Sequence, residues 1–135
     1  MYDSLNKKVA LVTGAGTGIG RAIAWRLADE GSQVLIVGRT EKTLAETAAH
    51  SGNITYHIAD LETNEGIRSV AQEVINRYGR LNILVNNAGW APVGSFASMK
   101  IEEYDKVFAI NVRAVVMLSQ VLLPCLLYTS DAADE

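Results

Sequence analysis

The feature that most constrains this chain is a cluster of glycines at one junction. Residues Thr13 to Gly20 read Thr-Gly-Ala-Gly-Thr-Gly-Ile-Gly, preceded by the apolar run Val9-Ala10-Leu11-Val12 and followed by a helical pattern in which Ile19, Ala22, Ile23 and Leu27 share a face. A buried strand therefore turns at once into a helix, which ends near Gly31. Without Cβ atoms, Gly14, Gly18 and Gly20 let the backbone take positive φ and approach a ligand closely. The N–H groups at the start of the helix then offer hydrogen bonds and a partial positive charge to a phosphate. A tight strand-to-helix connection with no ligand would use the same residues, so the rest of the chain has to decide between them.

The rest alternates in the same way. Val34 to Val37 is a second apolar run, continuous as in a parallel strand covered on both faces. Glu41 to His50 reads as a short helix closed by Ser51-Gly52-Asn53, and Ile54 to Ala59 as a third strand. Ile67, Val70, Ala71, Val74, Ile75 and Tyr78 recur at helical spacing up to Gly79, and Leu81 to Val85 is a fourth strand. This series calls for an α/β fold: a doubly wound parallel sheet of the Rossmann type, with right-handed crossovers and strand order 3-2-1-4. Ligands of such sheets bind beyond the C-terminal ends of the strands, where the strand order reverses. A chain of 135 residues is one domain at most.

Two motifs lie at those strand ends. Gly38-Arg39 follows the second strand, where an NAD enzyme usually places a carboxylate for the adenosine ribose hydroxyls. A guanidinium there can grip a ribose phosphate bidentately, which favours NADP(H) and leaves NAD(H) possible; a solvated loop arginine is the alternative. Asn86-Asn87-Ala88-Gly89 follows the fourth strand directly. Together with Thr-Gly-x-x-x-Gly-Ile-Gly, that motif resembles the short-chain dehydrogenase/reductase family. The older Gly-x-Gly-x-x-Gly pattern, laid on Gly14 and Gly16, would put its third glycine at Ile19.

The resemblance covers Lys7 to Pro124 and implies roles for particular residues. Thr13, Gly14, Thr17, Gly18, Ile19 and Gly20 would seat the cofactor phosphates. Asp60 and Leu61 would hold the adenine, although Asp60 also reads as a helix N-cap for the segment starting near Thr63. Asn87, Ala88 and Gly89 would flank the ribose and nicotinamide, with asparagine side chains satisfying backbone groups of neighbouring strands. Asn111, interrupting the apolar stretch Val107 to Val112, falls in an Asn-Val-x-Ala pattern like the family's catalytic segment, where the asparagine carbonyl holds a water of a proton relay. A polar residue bonded across a helix contact is the other reading. The implied activity is hydride transfer between a nicotinamide and a carbonyl or secondary alcohol, as in 3-oxoacyl-carrier-protein reductases or sugar and polyol dehydrogenases. The implied partners are a small-molecule substrate and further copies of the chain.

The family next requires a serine-bearing strand and then Tyr-x-x-x-Lys, and neither occurs here: Tyr128 has no following lysine, and Ser130 sits in no strand pattern. Residues 125–135 are what a transposase adapter of sequencing libraries would encode in frame, so they are expected to be a non-native tail, with residues 1–124 the native part of the nucleotide-binding domain. Two other readings remain: a non-catalytic dinucleotide-binding module and a methyltransferase. The latter usually carries an acidic residue after the second strand and lacks the Asn-Asn-Ala-Gly motif. A formal net charge of -3 gives no electrostatic footprint for nucleic acid or an anionic membrane. Polar residues 1–8 and the interruptions within Val107 to Leu127 argue against a signal peptide and a membrane span, so a cytoplasmic location is expected. One cysteine, Cys125, gives no disulfide framework or cysteine-based metal site.

Overall fold

The computed structural model describes residues 5–129. Four strands, β1 (Val9–Thr13), β2 (Gln33–Gly38), β3 (Ile54–Ile58) and β4 (Ile83–Val85), form one parallel sheet in the order β3-β2-β1-β4. The register runs Leu11 beside Leu35 and Leu84, and Ile36 beside Tyr56. Crossovers are made by α1 (Gly18–Asp29), α2 (Glu41–Ala48) and α3 (Asn64–Arg77). After β4 the chain passes through a loop with a short 3-10 turn, Phe96–Ser98. It then enters a long helix in three parts: α4 (Ile101–Phe108), a π-helical turn Ala109–Arg113, and α5 (Ala114–Thr129).

The period-2 geometry of the strands divides the core in two. Val9, Leu11, Leu35 and Val37 point to one side, where they meet Ile67, Val70 and Val74 of α3 and Ala114, Leu118 and Leu122 of α5. Val12, Val34 and Ile36 point to the other, against Ala24 and Ala28 of α1 and Leu44 of α2. That two-sided cover is why β1 and β2 read as unbroken apolar runs. β4, by contrast, is only half-buried along its length.

Several expected boundaries are shorter than expected. α2 stops at Ala48, β3 at Ile58, and β4 begins at Ile83, because Asn82 takes over the first step of the ladder: its Oδ1 accepts from the Val9 N–H at 2.8 Å, and its own N–H donates to the Val9 carbonyl. The expected apolar face of α1 is also corrected. Gly20, Ala24 and Ala28 are the buried positions, Ile23 and Leu27 are half-buried, Ala22 is exposed, and Ile19 is 74% exposed. Small residues let the helix axis sit close to the strands, and this outweighs the larger apolar surface on the neighbouring stripe. Gly31 (φ +97°) and Gly79 (φ +69°) end α1 and α3 in the left-handed conformation, as their positions suggested.

The long helix continues past Pro124, and Cys125 and Leu126 pack partly against the core. The stretch Ile101–Leu127 is long and apolar enough to cross a membrane by length and composition, with mean hydropathy 1.8. Its Ala114, Leu118 and Leu122 are nonetheless buried against the sheet and α3. Ser130 and the residues after it lie outside the described ones.

Candidate cofactor site

Every site residue named from the sequence, except Asn111, sits at or just beyond the C-terminal end of a strand or at the start of α1, and all of these but the buried Thr13 and Gly20 line two adjoining cavities. The larger, about 410 Å³, is lined by Gly14, Gly16, Thr17, Gly18, Ile19, Thr40 and Asn87 among others. The smaller, about 140 Å³, is lined by Val37, Ala59, Asp60, Leu61, Trp90 and Ile110. Gly14, Gly38, Arg39, Ala88 and Gly89 belong to both walls.

Thr13 is the pin that joins the two motifs. Its side chain, 1% exposed, accepts hydrogen bonds from the backbone N–H groups of Asn87 (3.1 Å) and Ala88 (3.0 Å). In return, Asn87 Nδ2 donates to the carbonyls of Thr13 (3.1 Å) and Gly14 (3.0 Å). The expected use of asparagine to satisfy neighbouring backbone is thus seen at Asn87, while Asn86 donates to Ser119 Oγ on α5 at 3.2 Å. Gly14 (φ +64°) and Gly18 (φ +59°) take positive φ, and a Cβ on Gly14 would come within 2.7 Å of Ala88 Cα. Gly20 differs from the expectation: it is an ordinary helical residue. It is small because a Cβ there would meet the Gly14 carbonyl oxygen at 2.4 Å and Asn87 Nδ2 at 2.5 Å.

Thr17, at the N-cap of α1, makes no side-chain capping bond, and no acidic residue lies in the first turn. The helix N-terminus is therefore left open toward the larger cavity, with Thr17 and Ile19 on its rim. A cradle this close, facing an uncapped helix end, fits a pyrophosphate.

The carbonyls of Ala15 and Gly16 are held by a polar clamp that the sequence did not reveal. Arg21 donates through Nη2 to the Gly16 carbonyl at 2.6 Å and to the Thr43 carbonyl at 3.1 Å, and through Nε to Thr47 Oγ1 at 2.8 Å. Thr47, fully buried, donates to the Ala15 carbonyl at 2.9 Å. The only available signal was one threonine on the buried side of α2.

Asp60 closes the far end of the smaller cavity. The N-cap alternative for it is corrected: Thr63 caps α3, its side chain accepting from Gly66 N–H at 2.9 Å, whereas Asp60 Oδ1 accepts from Glu62 N–H at 2.9 Å in a tight turn. Gly66 must be glycine, since a Cβ would fall 1.9 Å from the Asp60 carbonyl oxygen. Arg39, half-exposed between the cavities, lies 3.8 Å from Glu62.

Asn111 stands in the π-helical turn, where the Ala114 N–H reaches back to the Ala109 carbonyl. Its side chain clamps the loop after β4 reciprocally: Oδ1 accepts from Trp90 N–H at 2.8 Å and Nδ2 donates to the Trp90 carbonyl at 2.7 Å. The Trp90 ring in turn lies 4.5 Å under the Lys106 ammonium. Arg113, in the same turn, donates to Asn64 Oδ1 at the start of α3. The two histidines, read from the sequence as structural, bond to Asp29 (His50) and Ser69 (His57), away from both cavities.

Comparison with known proteins gives one consistent likeness. A family model described as short chain dehydrogenase matches residues 8–133. A rhamnolipids-biosynthesis 3-oxoacyl-[acyl-carrier-protein] reductase of Pseudomonas aeruginosa is 37% identical over 98% of the chain and 53% of its own length. An uncharacterized oxidoreductase of Escherichia coli is 38% identical over 98% of the chain and 55% of its own. The crystal structure of a short-chain dehydrogenase/reductase of unknown function from Caenorhabditis elegans, solved with cofactor, superposes with a TM-score of 0.85 at 30% identity. That match covers 93% of this chain and 50% of the other. The chain thus spans about half the length of the relatives it matches.

Proposed function

The chain belongs to the short-chain dehydrogenase family, and from that premise we propose that it carries the nucleotide-binding half of an NADP(H)-preferring oxidoreductase acting on a carbonyl or secondary alcohol. The observation that carries this reading is the Thr13–Asn87 lock. It ties the glycine turn and the Asn-Asn-Ala-Gly segment together around a cradle that admits no Cβ at Gly14 or Gly20. Gly14, Thr17, Gly18, Ile19 and Gly20 hold the pyrophosphate, whose negative charge at the helix end gains about 0.3–1 kcal/mol from the helix dipole. Asp60 and Leu61 hold the adenine, Arg39 the ribose phosphate, and Asn87, Ala88 and Gly89 the nicotinamide side. When bound, the nicotinamide supplies or accepts the hydride.

Asn111 sets the loop after β4 with its side chain, and its backbone carbonyl, in the π turn, accepts from a relay water. Serine and Tyr-x-x-x-Lys, which handle the substrate proton, belong to sequence that follows Pro124 in the complete protein, residues 125–135 being a non-native tail. That reading of the tail rests on the DNA it implies, and resequencing the source with a primer outside any library adapter tests it. The substrate reading favours a 3-oxoacyl thioester or a polyol, in line with the name of the Pseudomonas relative. The exposed stripe Tyr104, Phe108, Val112 and Val116 supports pairing between copies in a cytoplasmic homo-oligomer.

The complete enzyme should oxidise NADPH in the presence of a 3-oxoacyl thioester or a keto sugar, followed by absorbance. NADPH binding with no turnover across a carbonyl panel would instead favour a non-catalytic dinucleotide-binding module. Asn111→Ala should lower kcat more than it weakens NADPH binding, and the opposite split would make Asn111 a binding residue.

A further inference from the structure

We infer that Glu62 is a specificity-determining residue of the adenosine-ribose site, supplying from the β3–α3 loop the carboxylate that the end of β2 lacks and competing with a ribose phosphate for Arg39. The inference rests on the assignment of Arg39 to that phosphate. Glu62 Oε2 lies 3.8 Å from Arg39 Nη1, an ion pair without hydrogen-bond contact, with side-chain exposures of 30% and 54%. Glu62 is not a loose surface residue: its N–H is held by Asp60 Oδ1, and its neighbour Thr63 caps α3. The turn that presents Asp60 to the smaller cavity therefore also aims Glu62 at the guanidinium. Arg39 lines both cavities, so the guanidinium that Glu62 approaches from behind the lining stands where the adenine end meets the pyrophosphate end.

The chemistry of the two cofactors then diverges at this pair. A phosphomonoester on the ribose brings nearly two negative charges to Arg39, and a carboxylate already within ion-pair range has to share the cation or swing away; like charges this close oppose one another. Unphosphorylated ribose hydroxyls are hydrogen-bond donors, and a carboxylate accepts from them. Arg39 alone would select strongly for the phosphate; Arg39 with Glu62 admits both cofactors and narrows the preference.

The test measures NADPH and NADH dissociation constants by fluorescence titration on the full-length enzyme carrying this segment, as wild type, Glu62→Gln, Arg39→Ala and the double variant. Glu62→Gln is expected to raise the NADPH-over-NADH preference by about fivefold, the upper range for an exposed ion pair, with NADH binding weakened. In the Arg39→Ala background it should no longer tighten NADPH. An unchanged preference in Glu62→Gln, with Arg39→Ala still reducing it, overturns the role of Glu62 and leaves the phosphate assignment standing. An unchanged preference in Arg39→Ala overturns the assignment itself. Glu62→Gln keeps the side-chain shape and the Asp60 turn; Glu62→Ala, carried in parallel, should shift the preference in the same direction.

Discussion

At the scale of single residues, the site is held by contacts that tolerate very little change. Gly20→Ala places a methyl 2.4 Å from the Gly14 carbonyl oxygen, so it should weaken NADPH binding at least about tenfold by distorting the turn that receives the phosphates. A titration of the full-length variant checks this. Thr13→Val removes the acceptor for two buried N–H groups and should cost about 1–3 kcal/mol in urea unfolding, while Thr13→Ser should recover most of it. The glycines, Arg39, Asp60 and the asparagines were legible in the sequence because each is an unusual residue type at the end of a strand. Arg21, Thr47 and Glu62 were not. Their roles come from α1, α2 and the β3–α3 loop folding onto the same few carbonyls and one guanidinium, and no spacing along the chain encodes that meeting. Gly20 reads from the sequence as a positive-φ position, whereas in the fold it is steric closeness to Gly14 and Asn87, not left-handed backbone, that demands a glycine there.

Among the elements, the strands were the easiest to read, since burial on both faces leaves Val9–Val12 of β1 and Val34–Val37 of β2 without a polar residue. β1 and β2 extend a residue or two beyond the apolar runs, whereas β4 is shorter than expected because the Asn82 side chain replaces a backbone rung beside Val9. The helix faces were harder. Hydrophobicity favours the Ile19 stripe of α1, whereas close approach to the sheet favours the stripe of Gly20, Ala24 and Ala28, and packing distance prevailed. Between β3 and α2 the apolar contact carries one polar bond at its edge: Tyr56 donates its hydroxyl to Glu41 Oε2 at 3.1 Å. That bond, followed by the Glu41 charge, holds the Tyr56 phenol above its ordinary value near 10. The neutral phenol is the form favoured in the fold. The contribution of this contact is therefore complete below the ordinary tyrosine range and lost as pH rises through the raised value. Ultraviolet titration should show Glu41→Gln bringing the Tyr56 transition back down.

For the molecule as a whole, the sheet order leaves β4 at an edge, with Ile83, Leu84 and Val85 half-buried and, among the described residues, no strand on their outer side. Val93, Phe96, Ile101 and Val116, in the segments that follow β4, are also exposed. Residues 1–135 alone should therefore be poorly soluble and without reductase activity, self-associating through that edge in light scattering; a monomer with a cooperative melt would contradict this. The strand order itself was legible from the alternation of elements, whereas the π turn was not, because one additional residue in a helix leaves no mark on composition. That turn acts as a phase adjuster between two rods. Removing one residue from Ala109–Arg113 would straighten the helix and keep the two rods in phase, whereas winding all of its residues as uniform α-helix would rotate one rod by about 100° relative to the other. Either Leu118 and Leu122 would leave the sheet, or α4 and the Trp90 loop would swing off the cofactor face. A single deletion there would thus stay local, while an insertion or a second deletion would be felt at both ends of the helix.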